Sequence, residues 1–333
     1  MFFSYWFTLI FLGLGSSQNM ISNGISNGIS KLNFAVDGTN NILKLIMAVE
    51  AFTNNGFSIK ESIPLNPPRI DYGITFEELR SLFKHSMVSK CTPAQVKDGK
   101  CFCEGKFQEV KLFRNATLDS QASVAVDDTN KLVAISYRIT VSETNWQSNY
   151  KSTLSRHPYV NGPAMVHDGH LEYVDSLYRM MEPTVVEMLR RHPTYKLHIT
   201  GYSLGGSVAI ISLPFWTNTL KTKKLANKAR VFSYSGPRPG NAEFAKYVET
   251  LGVPIVRYAL KGDVIPHVSD QAMGYSQAGL EFYDSSIPVL RNSVVKCSLN
   301  VIEDSSCGMK DVNFYAPLHV TPFQRPAPFP PLC

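Results

Sequence analysis

Lys196-Leu-His-Ile-Thr-Gly-Tyr-Ser-Leu-Gly-Gly206 is the most informative stretch of this 333-residue chain. Its Gly-x-Ser-x-Gly core, residues 201–205, follows a β-prone apolar run and precedes a helix-compatible run, residues 204–213. A serine at a sharp strand-to-helix turn has its hydroxyl lifted above the sheet edge, and flanking glycines allow the close backbone approach that the turn requires. The stretch therefore predicts a nucleophilic Ser203 at a helix N-terminus that can face an oxyanion. The alternative is an ordinary glycine-rich turn.

Strand and helix patterns alternate on both sides of this turn. An α/β sheet is predicted from this alternation, with a ligand site at the carboxyl ends of its strands. A capping box, Thr75-Phe-Glu-Glu78, predicts a helix that runs to about residue 90. Pro183 is expected to bend or break the long helix 171–191. The predicted strands are 109–113, 122–126, 131–140, 196–200, 229–235 and 255–260, and a further helix is expected at 242–250.

The chain divides into three parts by composition. Residues 2–14 form an apolar run of signal-peptide length, so we expect residues 1–17 to be a signal peptide and the protein to be secreted. Residues 18–70, which include a short tandem repeat, are interpreted as a propeptide or flexible arm. Residues 71–333 are then one catalytic domain, and no later segment is apolar enough for a membrane span.

The charges argue against a nucleic-acid partner. The net charge is +6, and the charged residues are dispersed along the chain. The densest basic cluster, Lys221, Lys223 and Lys224, is interpreted as a solvated helix end.

Six cysteines fit a secreted protein with up to three disulfides. Six cysteines allow 15 pairings, and their spacing does not choose among them. Zinc is a poor alternative, because Cys101 and Cys103 are too close for a usual ligand pair. Asn115-Ala-Thr117 is a glycosylation sequon for a secreted chain.

A serine nucleophile needs an imidazole base and a carboxylate that orients it. In hydrolases with this type of turn the partners follow the serine in the order acid, then histidine. Asp263 follows a predicted strand directly, and Asp270 and Asp284 are competing acids. Two histidines come after the serine: His319, which we take as the base, and His267, which is interpreted as a structural loop residue.

Several stretches, in the same order along the chain, resemble the class 3 (fungal-type) lipases. They are the serine segment 196–206, Val166-His-Asp-Gly169, Ser235-Gly-Pro-Arg-Pro-Gly-Asn241, the acid loop Gly262-Asp-Val-Ile-Pro-His267 and the C-terminal His319. The resemblance implies an α/β-hydrolase fold with a central, mostly parallel sheet and helices on both faces. It also implies a Ser203–His319–Asp263 triad and no metal or cofactor.

The same resemblance assigns an oxyanion hole and a lid. Thr140 and the Leu204 backbone N–H are the implied oxyanion donors. Ile139 replaces a glycine of the family's pattern, which requires that its φ be negative and that its side chain find a pocket. Asn145, Trp146 and Tyr150 fall in the implied lid, which has one thin apolar stripe that also includes Leu154. A plain polar surface loop is the alternative reading of this segment.

The cysteine layout resembles that of secreted yeast members of the family. It implies a Cys91–Cys333 bridge and a Cys297–Cys307 bridge, and it leaves Cys101–Cys103 by exclusion. A bridge across one intervening residue is strained, so free thiols at those two positions are the alternative.

Together these features predict a secreted serine lipase that hydrolyses triacylglycerol esters, as a monomer, possibly at an oil–water interface. An esterase on soluble or partial-glyceride substrates, or a feruloyl esterase, is the alternative within the enzymes. A catalytically inactive hydrolase fold used for binding is the alternative from another class, since Ile139 departs from the pattern at the oxyanion hole.

Overall fold

The computed structural model of the chain describes residues 62–97, 107–139, 153–285, 294–311 and 318–319. Several predicted features lie outside the described residues. They are the signal peptide, most of the arm, Thr140, the lid residues Asn145, Trp146 and Tyr150, and Cys101, Cys103 and Cys333. Within the described ranges, no helix is both long enough and apolar enough to cross a membrane.

The described residues form fourteen strands and five α-helices, joined by short 3₁₀ helices. The strands are β1 (Ile63–Pro64), β2 (Glu109–Asn115), β3 (Ser120–Asp127), β4 (Leu132–Tyr137), β5 (Leu154–Arg156), β6 (Met165–His167), β7 (Lys196–Tyr202), β8 (Ala229–Tyr234), β9 (Gly240–Asn241), β10 (Ile255–Leu260), β11 (Tyr275–Ser276), β12 (Leu280–Asp284), β13 (Val294–Lys296) and β14 (Val301–Ile302). The helices are α1 (Phe76–Ser81), α2 (Pro93–Lys97), α3 (Asp168–Arg191), α4 (Leu204–Thr222) and α5 (Ala242–Glu249), and the 3₁₀ helices are Phe83–Lys90, Ile265–His267, Gln271–Met273 and Gly308–Lys310.

An eight-stranded mixed sheet is the central layer, in the order β13-β12-β10-β8-β7-β4-β3-β2. The four strand pairs from β4 to β12 are parallel, and the outer pairs are antiparallel. The parallel strands are continuous buried runs, as expected where both faces of a sheet are covered. Their carboxyl ends all meet at one edge, and the loops that carry Ser203 and Asp263 leave the sheet there.

Each face of the sheet is covered by helices. On one face, α3 and α4 pack against β-strand side chains such as Ile135, Ile199 and Val231 in one buried apolar cluster. On the other face, α1 and the 3₁₀ helix Phe83–Lys90 contribute Leu79 and Met87 to a second cluster. At about 25 cal/mol per Å² of apolar surface, burial on two faces is the main stabilising contribution to such a layered fold.

The helix boundaries differ from the sequence predictions in two places. Pro183 does not break α3, which is continuous from Asp168 to Arg191. A proline inside a helix removes one hydrogen bond, but eleven residues of α3 are buried, and this packing holds the helix together. The helix that begins at the Thr75 cap ends at Ser81 and continues as a 3₁₀ helix to Lys90.

The last residues of the predicted arm pack against the domain. Strand β1 pairs with β14, and Leu65 N–H donates to Asn300 O at 2.7 Å. The buried Arg69 guanidinium binds Glu249 Oε1 at 2.6 Å and Val301 O at 2.5 Å. Residues 62–70, at the end of the predicted arm, therefore pack on the residues of the predicted domain, and the boundary between the two stays a prediction. The position of any processing site upstream stays a prediction.

The structure joins Cys297 to Cys307, as the resemblance implies. Cys91 is also disulfide-bonded, and its partner lies outside the described residues. The Cys91–Cys333 pairing therefore stays a prediction.

Candidate active site

Ser203 lies at a strained turn between β7 and α4. Its φ of 57° and ψ of −129° place a non-glycine residue in a conformation that costs about 1–3 kcal/mol. Ser203 N–H donates to Tyr234 O at 2.8 Å, and Gly206 N–H donates to Ser203 O at 2.9 Å. These bonds hold the serine at the start of α4 with its side chain half-buried. The geometry is that of a nucleophile elbow.

The glycines on either side of Ser203 are required by close backbone packing. A Cβ added to Gly201 would lie 2.1 Å from Gly205 O, and one added to Gly205 would lie 2.2 Å from Tyr137 O. Distances this short are sterically forbidden, so the Gly-x-Ser-x-Gly pattern follows directly from the turn.

Asp263 and His319 meet Ser203 in a hydrogen-bonded chain. His319 Nε2 lies 2.9 Å from Ser203 Oγ, within hydrogen-bond reach. His319 Nδ1 lies 2.9 Å and 3.0 Å from the two carboxylate oxygens of Asp263. The structure thus brings together three residues from separate loops in the arrangement that activates a serine hydroxyl.

The acid and the base are both shielded from water. Asp263 is 1% exposed and His319 is 2% exposed. Ile265 N–H donates to Asp263 Oδ1 at 3.0 Å, which fixes the carboxylate within its own loop. The Tyr202 ring stacks on the His319 imidazole with centroids 5.1 Å apart, so the imidazole is held on its face as well as at both nitrogens.

The competing candidates have other roles. Asp270 caps the 3₁₀ helix Gln271–Met273 through Ala272 N–H, and Asp284 accepts from the Tyr258 hydroxyl. Burial, with the charges of Arg238 and Arg257, lowers the pKa of His267 to about 3, so this imidazole is a poor proton acceptor near neutral pH.

Ile139 meets both requirements stated above, a pocket for its side chain and a φ that is not positive. Its side chain is 2% exposed, in the apolar cluster that also holds Leu82 and Tyr202. Ile139 is not among the described non-glycine residues with positive φ. Leu204 is the first residue of α4, where backbone N–H groups have no partner within the helix.

Three buried side chains that the sequence analysis did not single out hold the acid loop from behind. Asp311 accepts from Gly262 N–H at 3.0 Å, Gln277 Nε2 donates to Pro266 O at 2.8 Å, and Arg238 Nη1 donates to His267 O. The guanidinium of Arg238 also pairs with Glu303 at 2.6 Å. Arg238 lies in the stretch Ser235-Gly-Pro-Arg-Pro-Gly-Asn241, so a signal existed for it, but Asp311 and Gln277 have no local pattern.

One group of side chains has metal-ligand spacing among the described residues: Glu281, Cys297 and Cys307. The two sulfur atoms are bonded to each other, and a disulfide does not offer the thiolate that metals bind. The Glu281 carboxylate instead accepts from Gly308 N–H at 2.9 Å and pairs with Arg257 at 2.8 Å.

The sequence of this chain is similar to those of a known protein family. Residues 134–273 match the family described as lipase (class 3). The chain is 32% identical over 208 residues to a lipase of Rhizopus niveus, across 62% of this chain and 51% of that protein. It is 27% identical over 208 residues to secreted mono- and diacylglycerol lipase A of Penicillium cyclopium, across 58% of this chain and 64% of that one. The chain thus spans about half the length of the Rhizopus relative.

The fold has close counterparts among solved structures. A triacylglycerol lipase, described as having a serine protease triad as its catalytic centre, superposes with a TM-score of 0.63 at 25% identity, over 76% of this chain and 97% of that one. The layered sheet described above is therefore an α/β-hydrolase fold.

Proposed function

Residues 134–273 match the class 3 lipase family, and from that match we propose that the chain is a secreted serine hydrolase that cleaves carboxylic esters of acylglycerols. The observation that carries the proposal is the hydrogen-bonded chain from Ser203 through His319 to Asp263, with oxygen–nitrogen distances of 2.9–3.0 Å. Secretion is supported by the apolar N-terminal run and by relatives that are named as secreted lipases.

The proposed reaction proceeds in two acyl transfers. Ser203 Oγ attacks the ester carbonyl carbon while His319 Nε2 takes its proton. The proton then passes to the departing alkoxide, which leaves as the alcohol, and an acyl-enzyme remains. Water attacks that ester with His319 again as the base, which releases the fatty acid and restores Ser203.

Asp263 keeps the imidazole in the tautomer that the reaction needs. Its carboxylate accepts a hydrogen bond from Nδ1–H, so the proton stays on Nδ1 and Nε2 presents a lone pair to Ser203. The buried carboxylate also stabilises the imidazolium that forms during each transfer. Leu204 N–H and Thr140 are the proposed donors to the oxyanion, and removal of one such donor costs about 3–4 kcal/mol in the transition state.

The first test is removal of the nucleophile and of the base. Ser203→Ala and His319→Ala should each lower kcat by about 10⁴–10⁶-fold on a p-nitrophenyl ester, because the two act as one unit. His267→Ala is the matched control, since that imidazole also follows the serine in the chain but is not bonded to Ser203. An inactive His267→Ala beside an active His319→Ala would contradict the assignment of the base.

The second test separates a lipase from an esterase on soluble substrates. Rates on p-nitrophenyl esters from C2 to C18 should be compared with and without an oil–water interface. A lipase is expected to favour long chains and to gain activity at the interface, whereas a soluble-substrate or feruloyl esterase favours short or aromatic esters. The absence of turnover on every ester, with ligand binding retained, would favour the binding-protein alternative.

A further inference from the structure

Asp311 contacts the acid loop and also stands at the start of the segment that leads to His319. Its Oδ2 accepts from Gly262 N–H at 3.0 Å, and its Oδ1 accepts from the Tyr283 hydroxyl at 2.6 Å. Gly262 is the residue directly before Asp263. One buried carboxylate therefore connects the loop of Asp263 to the central sheet.

The Tyr283 hydroxyl ties Asp311 to the strand beside the acid loop. Tyr283 in β12 is the register partner of Ala259 in β10, and β10 ends at Leu260. The acid loop begins immediately after this strand. Tyr283 is 1% exposed, so the hydroxyl that holds Asp311 is itself fixed by the core of the sheet.

Burying a carboxylate at this position is energetically unfavourable unless its oxygens are hydrogen-bonded. Asp311 is 8% exposed, and burial raises its pKa above the ordinary range for aspartate. Here both oxygens are hydrogen-bonded. Both bonds join Asp311 to atoms that determine where the acid loop starts.

Two other side chains hold the far end of the same loop. Gln277 Nε2 donates to Pro266 O at 2.8 Å and to Gly236 O at 3.0 Å, and Arg238 donates to His267 O. Asp311 holds the first residue of the acid loop, whereas Gln277 and Arg238 hold its last residues.

We propose that Asp311 is a positioning residue that holds the start of the acid loop and so sets where Asp263 stands opposite His319. It acts through the Gly262 amide, and the Tyr283 hydroxyl holds the Asp311 carboxylate in place. The inference rests on the proposed hydrolase function, because it assigns Asp311 to the same catalytic site. Without the carboxylate, the Gly262 amide loses its acceptor and the Asp263–His319 hydrogen bond is no longer held in register.

The test compares Asp311→Ala, Asp311→Asn and Asp127→Ala on a short-chain p-nitrophenyl ester. Asp311→Ala should lower kcat by about 10- to 100-fold with KM little changed, since a displacement of about 1 Å at a catalytic group costs up to about 10²-fold. Asp311→Asn keeps an oxygen that accepts from Gly262 N–H and should restore most of the activity.

Asp127 is the matched control. It is 3% exposed, accepts from Asn130 N–H and binds His85 Nε2 at 2.8 Å, but it lies at the amino-terminal edge of the parallel strands. Asp127→Ala should therefore lower the melting temperature without lowering kcat per folded molecule. The folded fraction of each variant is measured by circular dichroism at the assay temperature.

A milder pair of variants keeps the test valid if Asp311→Ala does not fold. Tyr283→Phe removes only the hydroxyl that holds Asp311, whereas Tyr195→Phe removes an equivalent 2.6 Å bond to Asp128 at the opposite edge of the sheet. Tyr283→Phe should lower kcat several-fold, and Tyr195→Phe should leave it unchanged. Equal kcat values in these two variants, or in Asp311→Ala and Asp127→Ala, would overturn the proposal.

An NMR measurement separates this inference from the proposed function. The downfield proton signal of the His319 Nδ1–H bonded to Asp263 should weaken in Asp311→Ala and Tyr283→Phe but persist in their controls. If the wild-type protein hydrolyses no ester but the signal is present in it and lost in these two variants, the positioning role is supported and the hydrolase proposal is contradicted. A persistent signal and full activity in Asp311→Ala would contradict the positioning role alone.

Discussion

Ser203 and Ile139 both lie at the carboxyl ends of the sheet strands, where one has a special backbone conformation and the other a buried side chain. Ser203 occupies a left-handed conformation at a turn where Gly201 lets β7 approach α4 and Gly205 lets α4 approach β4, within distances that no Cβ would tolerate. At Ile139 a large side chain is required instead, because it fills part of the apolar cluster on the other face of the sheet. The isoleucine is therefore part of the core as well as a neighbour of the proposed oxyanion residue.

Shortening Ile139 should destabilise the protein. Ile139→Ala should lower the free energy of unfolding by about 2–5 kcal/mol, because it leaves a cavity in a 2%-exposed site, and Ile139→Val by about 0.5–1.5 kcal/mol. Urea unfolding followed by circular dichroism measures both values. Val295→Ala, at a 48%-exposed position, is the control and should change stability little. An Ile139→Ala variant as stable as wild type would show that the side chain is not packed as described.

At the scale of elements, burial determines whether a local sequence signal for the start or end of a helix has its usual effect. The Thr75 hydroxyl accepts from Glu78 N–H at 3.2 Å, so the predicted cap of α1 is present. Pro183 is a helix-breaking signal, yet α3 continues through it because its apolar face is buried against the sheet. The hairpin of β2 and β3 turns at residues 116–119, directly after the sequon asparagine.

This hairpin should carry a glycan when the chain passes through a secretory pathway. Asn115 ends β2 at a surface turn, where its Oδ1 accepts from Thr117 N–H at 3.0 Å and Thr117 is exposed. Treatment with an N-glycanase should reduce the apparent mass of the secreted protein. Asn115→Gln and Thr117→Ala should each abolish that shift, whereas Asn130→Gln, outside any sequon, should keep it. A shift that survives Asn115→Gln would contradict the prediction.

At the scale of the whole molecule, the folded core buries polar groups as well as apolar ones. His157, for example, donates from Nε2 to Ile211 O at 3.0 Å and accepts Tyr159 N–H at Nδ1, so both ring nitrogens are satisfied only when the imidazole is neutral. Burial lowers the pKa of His157 to about 4 and that of His267 to about 3. These histidines connect the stability of the fold to pH.

Stability should fall on acidification below the ordinary histidine pKa. In the unfolded chain both histidines bind a proton as the pH drops below about 6.5, whereas in the folded protein they do not until about pH 4 and pH 3. Each therefore lowers the free energy of unfolding by about 1.4 kcal/mol per pH unit within its window. Urea unfolding at several pH values between 7.5 and 4 measures the slope. His157→Gln should make it shallower, and a stability that stays constant down to pH 4 would refute the account.

The Cys91–Cys333 bridge is a prediction at the same scale. Cys91 is disulfide-bonded and 1% exposed beside Val88 and Ala125, so its partner must reach the outer part of the sheet. Peptide mapping without reduction should recover a fragment that joins Cys91 to Cys333. Such a long loop would stabilise by roughly 5 kcal/mol in the chain-entropy view. A fragment that joins Cys91 to Cys101 or Cys103 would exclude this pairing.

The sequence by itself determined most of the strands and helices and the turn that carries the proposed nucleophile, Ser203. The Gly-x-Ser-x-Gly turn, the strand that precedes it and the cap at Thr75 depend on neighbours within a few residues, so their physics is readable from the order of the amino acids. Asp263 and His319 could be nominated as well, because each follows an expected place in the chain order of such hydrolases.

Only the tertiary structure decided how distant residues meet. His319 lies 56 positions from Asp263, and their 2.9 Å contact depends on the register of strands that no local pattern encodes. The role of Asp311, the continuity of α3 through Pro183 and the pocket for Ile139 likewise depend on what packs around each residue. Local propensities are weak compared with the burial of two helical layers on one sheet, and that burial is a property of the assembled fold.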